Sequence, residues 1–278
     1  MKSWKLSLNA VFALAVFLWP VAVLGQQYVQ AFEHGKIDWS NGIIEATGRG
    51  CPPDKPDNAA QGRAVAEREA VKNARKNLLK ITEGIQINSK VLIKNLLSEN
   101  KEVREKLMRL IKNAPLVDVA YEKKGTVVAS VTLEIRGPFT GLVLPGSIRK
   151  IESLRQPKTT VKEEVPCFSG LIIDCRGFQV KSAMAPLVTD EDGQEVYGPA
   201  YISREHAITS CVAGYARDLD VAKADPRISK NPLIIKGIRT AKTGVSDVVI
   251  SNADAAKIRG TASHLSLLQK CKVVIVID

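Results

Sequence analysis

Several kinds of chemistry are absent from this chain on a first reading. No CxxC motif and no Cys/His spacing suggests a zinc site. Gly48-Arg49-Gly50 is the nearest thing to a phosphate loop. It runs into Pro52, Pro53 and Pro56, which lack N–H donors, and it has no GxGxxG or GxxxxGK[ST] continuation. Asp190-Glu191-Asp192 begins like a calcium loop, but Gly193 comes too early and no bidentate Glu follows at the required spacing, so a hairpin turn is expected. Histidine is scarce, with three in all: His34, His206 and His264. Ser203, His206 and Asp218 can be drawn as a triad, yet Ser203 reads more simply as a helix cap. No catalytic residue, cofactor or metal is therefore expected, and the chain reads as non-enzymatic, with a hydrolase of unknown type as the weakest alternative.

A second long apolar run is also missing. Only Leu6 to Trp19 is strongly apolar, following Lys2 and Lys5 and preceding Pro20. It is shorter than the roughly 20 residues that span a bilayer. With Val23 and Gly25 as the small residues before a cut, residues 1–25 read as a signal peptide cleaved near Gly25; a retained anchor is the alternative. No cysteine lies just after the run to carry a lipid, the first being the distant Cys51. A periplasmic or secreted protein is expected.

The formal charge is +11, and losing Lys2 and Lys5 with the signal leaves +9 (11 − 2). A basic balance favours acidic partners such as lipid headgroups or anionic envelope polymers, and export makes nucleic acid an unsuitable one. Most charges interleave, as in Lys101-Glu102-Val103-Arg104-Glu105-Lys106, the pattern of a solvated helix face. Arg68, Lys72, Arg75 and Lys76 form the candidate anion-contact face.

Cysteine is present in odd number: Cys51, Cys167, Cys175, Cys211 and Cys271. At least one thiol must stay unpaired within the chain. Cys167 and Cys175 flank one extended segment and would lie too far apart to bond if it is straight. Cys211 on an expected helix and Cys271 opening the last strand are the candidate disulfide; buried reduced thiols are the equal alternative.

Along the chain, residues 26–35 read as a tail and Lys36 to Ala46 as a strand pair turning at Ser40-Asn41-Gly42. A helix is expected from Asp57 or Asn58 to Thr82, with Ala66, Ala70, Ala74, Leu78 and Ile81 forming a narrow face of mostly small residues able to lie close on a sheet. Ile85, Ile87, Val91 and Ile93 suggest an extended segment. Asn100 to Asn113 reads as an amphipathic helix, and Leu116 to Glu122 with Thr126 to Ile135 as a hairpin. Weak periodicity and dense charge mark a linker over 143–165. A second domain, 166–278, is expected to hold a strand at Leu171-Ile172-Ile173, a hairpin over Leu187 to Val196 and a long helix from Ser203 to Lys223. Strands at Leu233 to Arg239 and Ser246 to Ile250, a helix near Ala253 to Gln269 weakened by Gly260, and a last strand from Cys271 to Asp278 complete it. The class is α+β: two small mixed domains, each a mainly antiparallel sheet packed with helices.

Glu45-Ala46-Thr47-Gly48-Arg49-Gly50, the Ala-rich Gln61 to Leu79, Leu79 to Ile87, Gly125 to Leu133 and Gly137-Pro138 carry a resemblance. Over residues 36–142 the chain resembles the family of LPP-twenty type small lipoproteins and the N-terminal domain of flagellar assembly protein T. Gly170 to Gly177, Asp190 to Gly198 and Asn231 to Lys236 are similar to a region following this domain in uncharacterised secreted bacterial proteins. The resemblance implies an envelope protein without catalysis, associated with the outer membrane or the flagellar base. The expected role is thus a scaffold or assembly factor with envelope or flagellar-base protein partners and room for peripheral membrane association. A binding module for an anionic envelope polymer is the alternative.

Overall fold

A computed structural model of the chain describes residues 27–55, 58–148, 168–242, 244–260 and 262–278. The expected signal peptide, most of the expected linker and Cys167 lie outside the described residues.

The first sheet consists of β1 (Val29–Phe32), β2 (Gly35–Asp38), β3 (Ile43–Gly50), β4 (Leu116–Tyr121) and β5 (Val127–Glu134), all antiparallel, in the order β1-β2-β3-β5-β4. The tail expected at 26–35 is instead the edge of this sheet. Val29 to Phe32 pairs with β2, a tertiary gain invisible in the short, weakly apolar segment itself.

Helix α1 (Ala59–Glu83) lies across β3 and β5. Asn58 Oδ1 caps it, accepting from Gln61 N–H at 2.8 Å. Its small face is buried as expected: Ala66, Ala70, Ala74 and Leu78 are fully covered and Ile81 nearly so. The sheet meets this face with glycines. A Cβ on Gly48 would stand 2.0 Å from Ala74 N, and one on Gly50 would stand 2.0 Å from Ala66 O. Backbone thus packs on backbone, which only glycine permits. Asn73 and Asn77 amides donate to the Arg49 and Thr47 carbonyls at 2.8 Å each, satisfying β3 where it runs beyond its pairing with β2.

Helix α2 (Ile93–Glu99) replaces part of the extended segment expected around 85–93, with Ile93 and Leu97 buried. Helix α3 (Lys101–Lys112) follows, capped by Asn100, and buries Leu107 and Ile111. Helix α4 (Pro138–Val143) closes the module. Val143, Leu144 and Ile148 are all buried, so the start of the expected linker is core.

The second sheet contains β6 (Leu171–Asp174), β7 (Val188–Thr189), β8 (Glu195–Tyr197), β9 (Gly214–Ala216), β10 (Leu233–Ala241), β11 (Gly244–Ile250) and β12 (Val273–Val276), in the order β8-β7-β11-β10-β6-β12-β9. Around it stand α5 (Arg204–Ser210), α6 (Leu219–Ala224), α7 (Asn252–Arg259) and α8 (Ala262–Gln269). The α+β class with two sheets holds, but this sheet is mixed and mostly parallel. β10/β6, β11/β7, β12/β6 and β12/β9 are parallel, whereas only β10/β11 and β7/β8 are antiparallel. The reason is visible in β6 and β12, whose alternate residues enter different cores: Leu171, Ile173, Val273 and Ile275 one, Ile172, Val274 and Val276 the other. Continuous apolar strands covered on both faces are the parallel-sheet pattern.

The long helix expected from Ser203 to Lys223 is broken. α5 stops at Ser210, Cys211 turns through φ 61°, β9 inserts into the sheet, and α6 restarts after Asp218. Ala207 and Tyr215 are buried as the periodicity suggested, but by different elements. Similarly, α7 and α8 divide the helix expected at 253–269 at Gly260.

One apolar cluster runs from Ile37 of the first sheet to Ile275 of the second. The seam adds Ser40 Oγ–H donating to Tyr215 O at 2.9 Å, Trp39 edge-on to the Tyr215 ring at 5.5 Å, and Met184 and Ala185 N–H donating to Gln86 and Ile87 carbonyls. Arg204 crosses it to donate to Pro145 O at 3.1 Å and Gly141 O at 2.8 Å.

Candidate functional site: a basic groove between two helices

With its Ala face on the sheet, α1 turns two neighbouring rows toward α3. Residues 67, 71, 75 and 79 repeat every four and are half-buried; residues 68, 72 and 76 form the exposed row beside them. α3 supplies the opposite wall with Met108, Arg109, Ile111 and Lys112. Between them lies a groove of about 670 Å3, within the usual size range of ligand sites. Its floor is Val71, Leu79, Met108 and Ile111, and its rim carries Arg68, Lys72, Arg75, Lys76, Arg109 and Lys112 against a single acid, Glu67.

All four residues of the expected anion-contact face therefore border one groove. The sequence missed Arg109, Lys112 and the apolar floor. The charges of α3 read as a solvated face, and nothing local says that this helix lies beside α1. None of the six cations forms a salt bridge among the described residues. By contrast, the i,i+4 pair Lys106–Glu102, on the same helix, is closed. Arg75 reaches the Ala114 carbonyl through Nη2 at 3.5 Å, while its Nε is buried without a partner. Glu67 is approached by the Tyr121 hydroxyl at 3.4 Å, and Arg63 stacks on that ring at 5.4 Å. Lys76 also borders a second, more polar depression of about 500 Å3 with His34, Arg49 and Lys80. Six cations gathered around few acids repel one another, and an anion would relieve that repulsion.

The triad drawn from sequence is not assembled as one. Ser203 is the residue before α5 and makes no side-chain cap, His206 is exposed, and Asp218 Oδ1 caps α6 by accepting from Val221 N–H at 2.7 Å. His264 is buried against Phe168, its Nδ1 3.1 Å from Lys257 O. The Asp190 turn is the expected hairpin, and its carboxylate is held by Arg259 Nη1 and Gln194 N–H, each at 2.8 Å. The Arg259 guanidinium keeps that carboxyl below the usual range.

Cys211 and Cys271 are free thiols and not the disulfide considered from sequence. The helix expected to carry Cys211 ends at Ser210, and both cysteines sit in left-handed turns, at φ 61° and 55°. Burial raises the Cys211 thiol above its ordinary range, against the pull of Arg227 and Arg136, and pushes Cys271 up to about 11. Cys175 is pushed up to about 12 by burial and by Asp174. Only Cys51 is exposed among the described cysteines.

Residues 170–278 match the family model described as Treponema pallidum Tp0624, second domain, which spans β6 to the C-terminus. No curated protein matches the chain.

Proposed function

We propose that this protein is a non-enzymatic, exported binding protein of the cell envelope and that the α1–α3 groove is its contact surface for an anionic ligand. One observation carries the reading: six cations, none of them in a salt bridge among the described residues, ring an apolar floor between two packed helices. The N-terminal Lys2, Lys5 and Leu6 to Trp19 support export, and the resemblance of residues 36–142 to the LPP-twenty and flagellar assembly protein T family supports a place at the outer membrane or flagellar base. The test uses exposed positions that leave the core intact. The triple variant Lys72→Glu, Lys76→Glu, Lys112→Glu is compared with Lys94→Glu, Lys230→Glu, Lys270→Glu, which changes net charge equally elsewhere. Retention of polyphosphate, read by anisotropy at increasing salt, weakens about tenfold or more in the groove variant alone. Equal loss in both variants reduces the effect to net charge and sinks the site.

A scaffold role has an observation of its own. β4 is an open edge strand whose Leu116, Val117 and Tyr121 are 43, 55 and 58% exposed, a place where an extended segment of an envelope protein adds by strand pairing. Crosslinking in native envelopes should lose a defined adduct on Val117→Lys; an unchanged adduct moves the contact elsewhere.

A further inference from the structure

We propose that the groove takes a single-chain anionic amphiphile, an alkyl or acyl chain ending in a phosphate or carboxylate. This rests on the anionic-ligand reading above and narrows it. Two halves of the site ask for two halves of a ligand. The floor of Val71, Leu79, Met108 and Ile111 is apolar, with Met108 left 46% exposed in the free protein. A purely hydrophilic polyanion would leave that floor wet. A neutral lipid would leave the rim cations uncompensated. An amphiphile lays its chain along the floor and its headgroup among Arg68, Lys72 and Arg75.

Length fits this occupant: from Arg68 to Leu79 the α1 wall is about 16 Å long, the reach of an extended chain of about a dozen carbons.

Calorimetric titration of the purified protein with alkyl phosphates of six, eight and ten carbons, kept below micelle formation, tests the proposal, with inorganic phosphate, polyphosphate and decyltrimethylammonium as companions. Affinity should rise about 3- to 15-fold for each two-carbon step, the upper figure corresponding to full burial of the added methylenes. The cationic amphiphile of equal chain length should not bind. Met108→Glu, at an exposed position, should weaken decyl phosphate about tenfold or more, and Val71→Gln, on the facing wall, should act in the same direction. Polyphosphate binding with no chain-length dependence overturns the amphiphile and leaves the anionic-ligand reading standing. Failure of every anionic probe overturns both. Equal binding of decyltrimethylammonium reduces the groove to a nonselective apolar patch and also overturns the proposal.

Discussion

Gly48→Ala should be among the most damaging one-carbon changes in the molecule. The added Cβ would stand 2.0 Å from Ala74 N and 2.4 Å from Ala70 O, both backbone atoms that no rotamer change can move aside. Ordinary contact at about 3.4 Å or beyond requires α1 to withdraw by about 1.4 Å, and a radial gap of about 1 Å already forfeits up to half of the dispersion energy of the surfaces it separates. The face at risk comprises Ala66, Ala70, Ala74, Leu78 and Ile81, all buried. At about 0.8 kcal/mol per buried methyl and about 2 kcal/mol for each larger side chain, losing a third to a half of its packing costs about 2–3 kcal/mol. Withdrawal also stretches the Asn73 and Asn77 bonds to β3, while the alanine returns about 0.4–1 kcal/mol by stiffening the unfolded chain. The net expectation is about 2–3 kcal/mol, or roughly 5–10 °C in Tm for a domain of this size. Circular dichroism melts and urea titrations read it, with Gly146→Ala, where no atom lies within 4 Å of the new Cβ, as the control. A Gly48→Ala protein melting within about 1 °C of that control would refute the close-approach argument.

Three further outcomes follow from the buried groups and the seam. Tyr215→Phe removes the hydroxyl that donates to Ala183 O and accepts from Ala183 N–H, both at 2.9 Å, leaving two buried backbone groups unsatisfied; a loss of about 2–4 kcal/mol in urea unfolding is expected, and a loss below about 0.5 kcal/mol would contradict it. Cys175 and Cys271 remain protonated in the fold to about 12 and 11, whereas the unfolded chain releases these protons near the ordinary value of 9, so stability is full below pH 9 and falls as pH rises from 9 toward 11. The slope approaches about 1.4 kcal/mol per pH unit for each thiol, and equal urea midpoints at pH 8 and 10.5 would remove the burial argument. In native conditions a thiol reagent should label Cys51 rapidly, the half-buried Cys211 more slowly, and leave Cys175 and Cys271 unmodified until urea is added; rapid labelling of Cys271 would contradict its burial.

Some of this architecture was already legible in the chain. The four-residue recurrence of Ala66, Ala70, Ala74 and Leu78 with Asn58 before it specified a capped helix and the face it buries, because helical period and capping are local properties. The alternation of Val127, Ala129, Val131 and Leu133 likewise specified a half-buried strand of a hairpin. The basic row Arg68, Lys72, Lys76 with Arg75 beside it was legible for the same reason. Other features were settled only when distant segments met. Val29 to Phe32 is a strand because β2 offers it an edge, and Gly214 to Ala216 is a strand because β12 does, overriding the helical spacing of Ala207, Cys211 and Tyr215. The parallel order of the second sheet depends on which strands are covered on both faces, which no single strand reveals. The groove belongs to the same category. α1 determines one row of cations, but the floor and the second wall exist only because α3 packs alongside it, and long-range packing is what local periodicity does not encode.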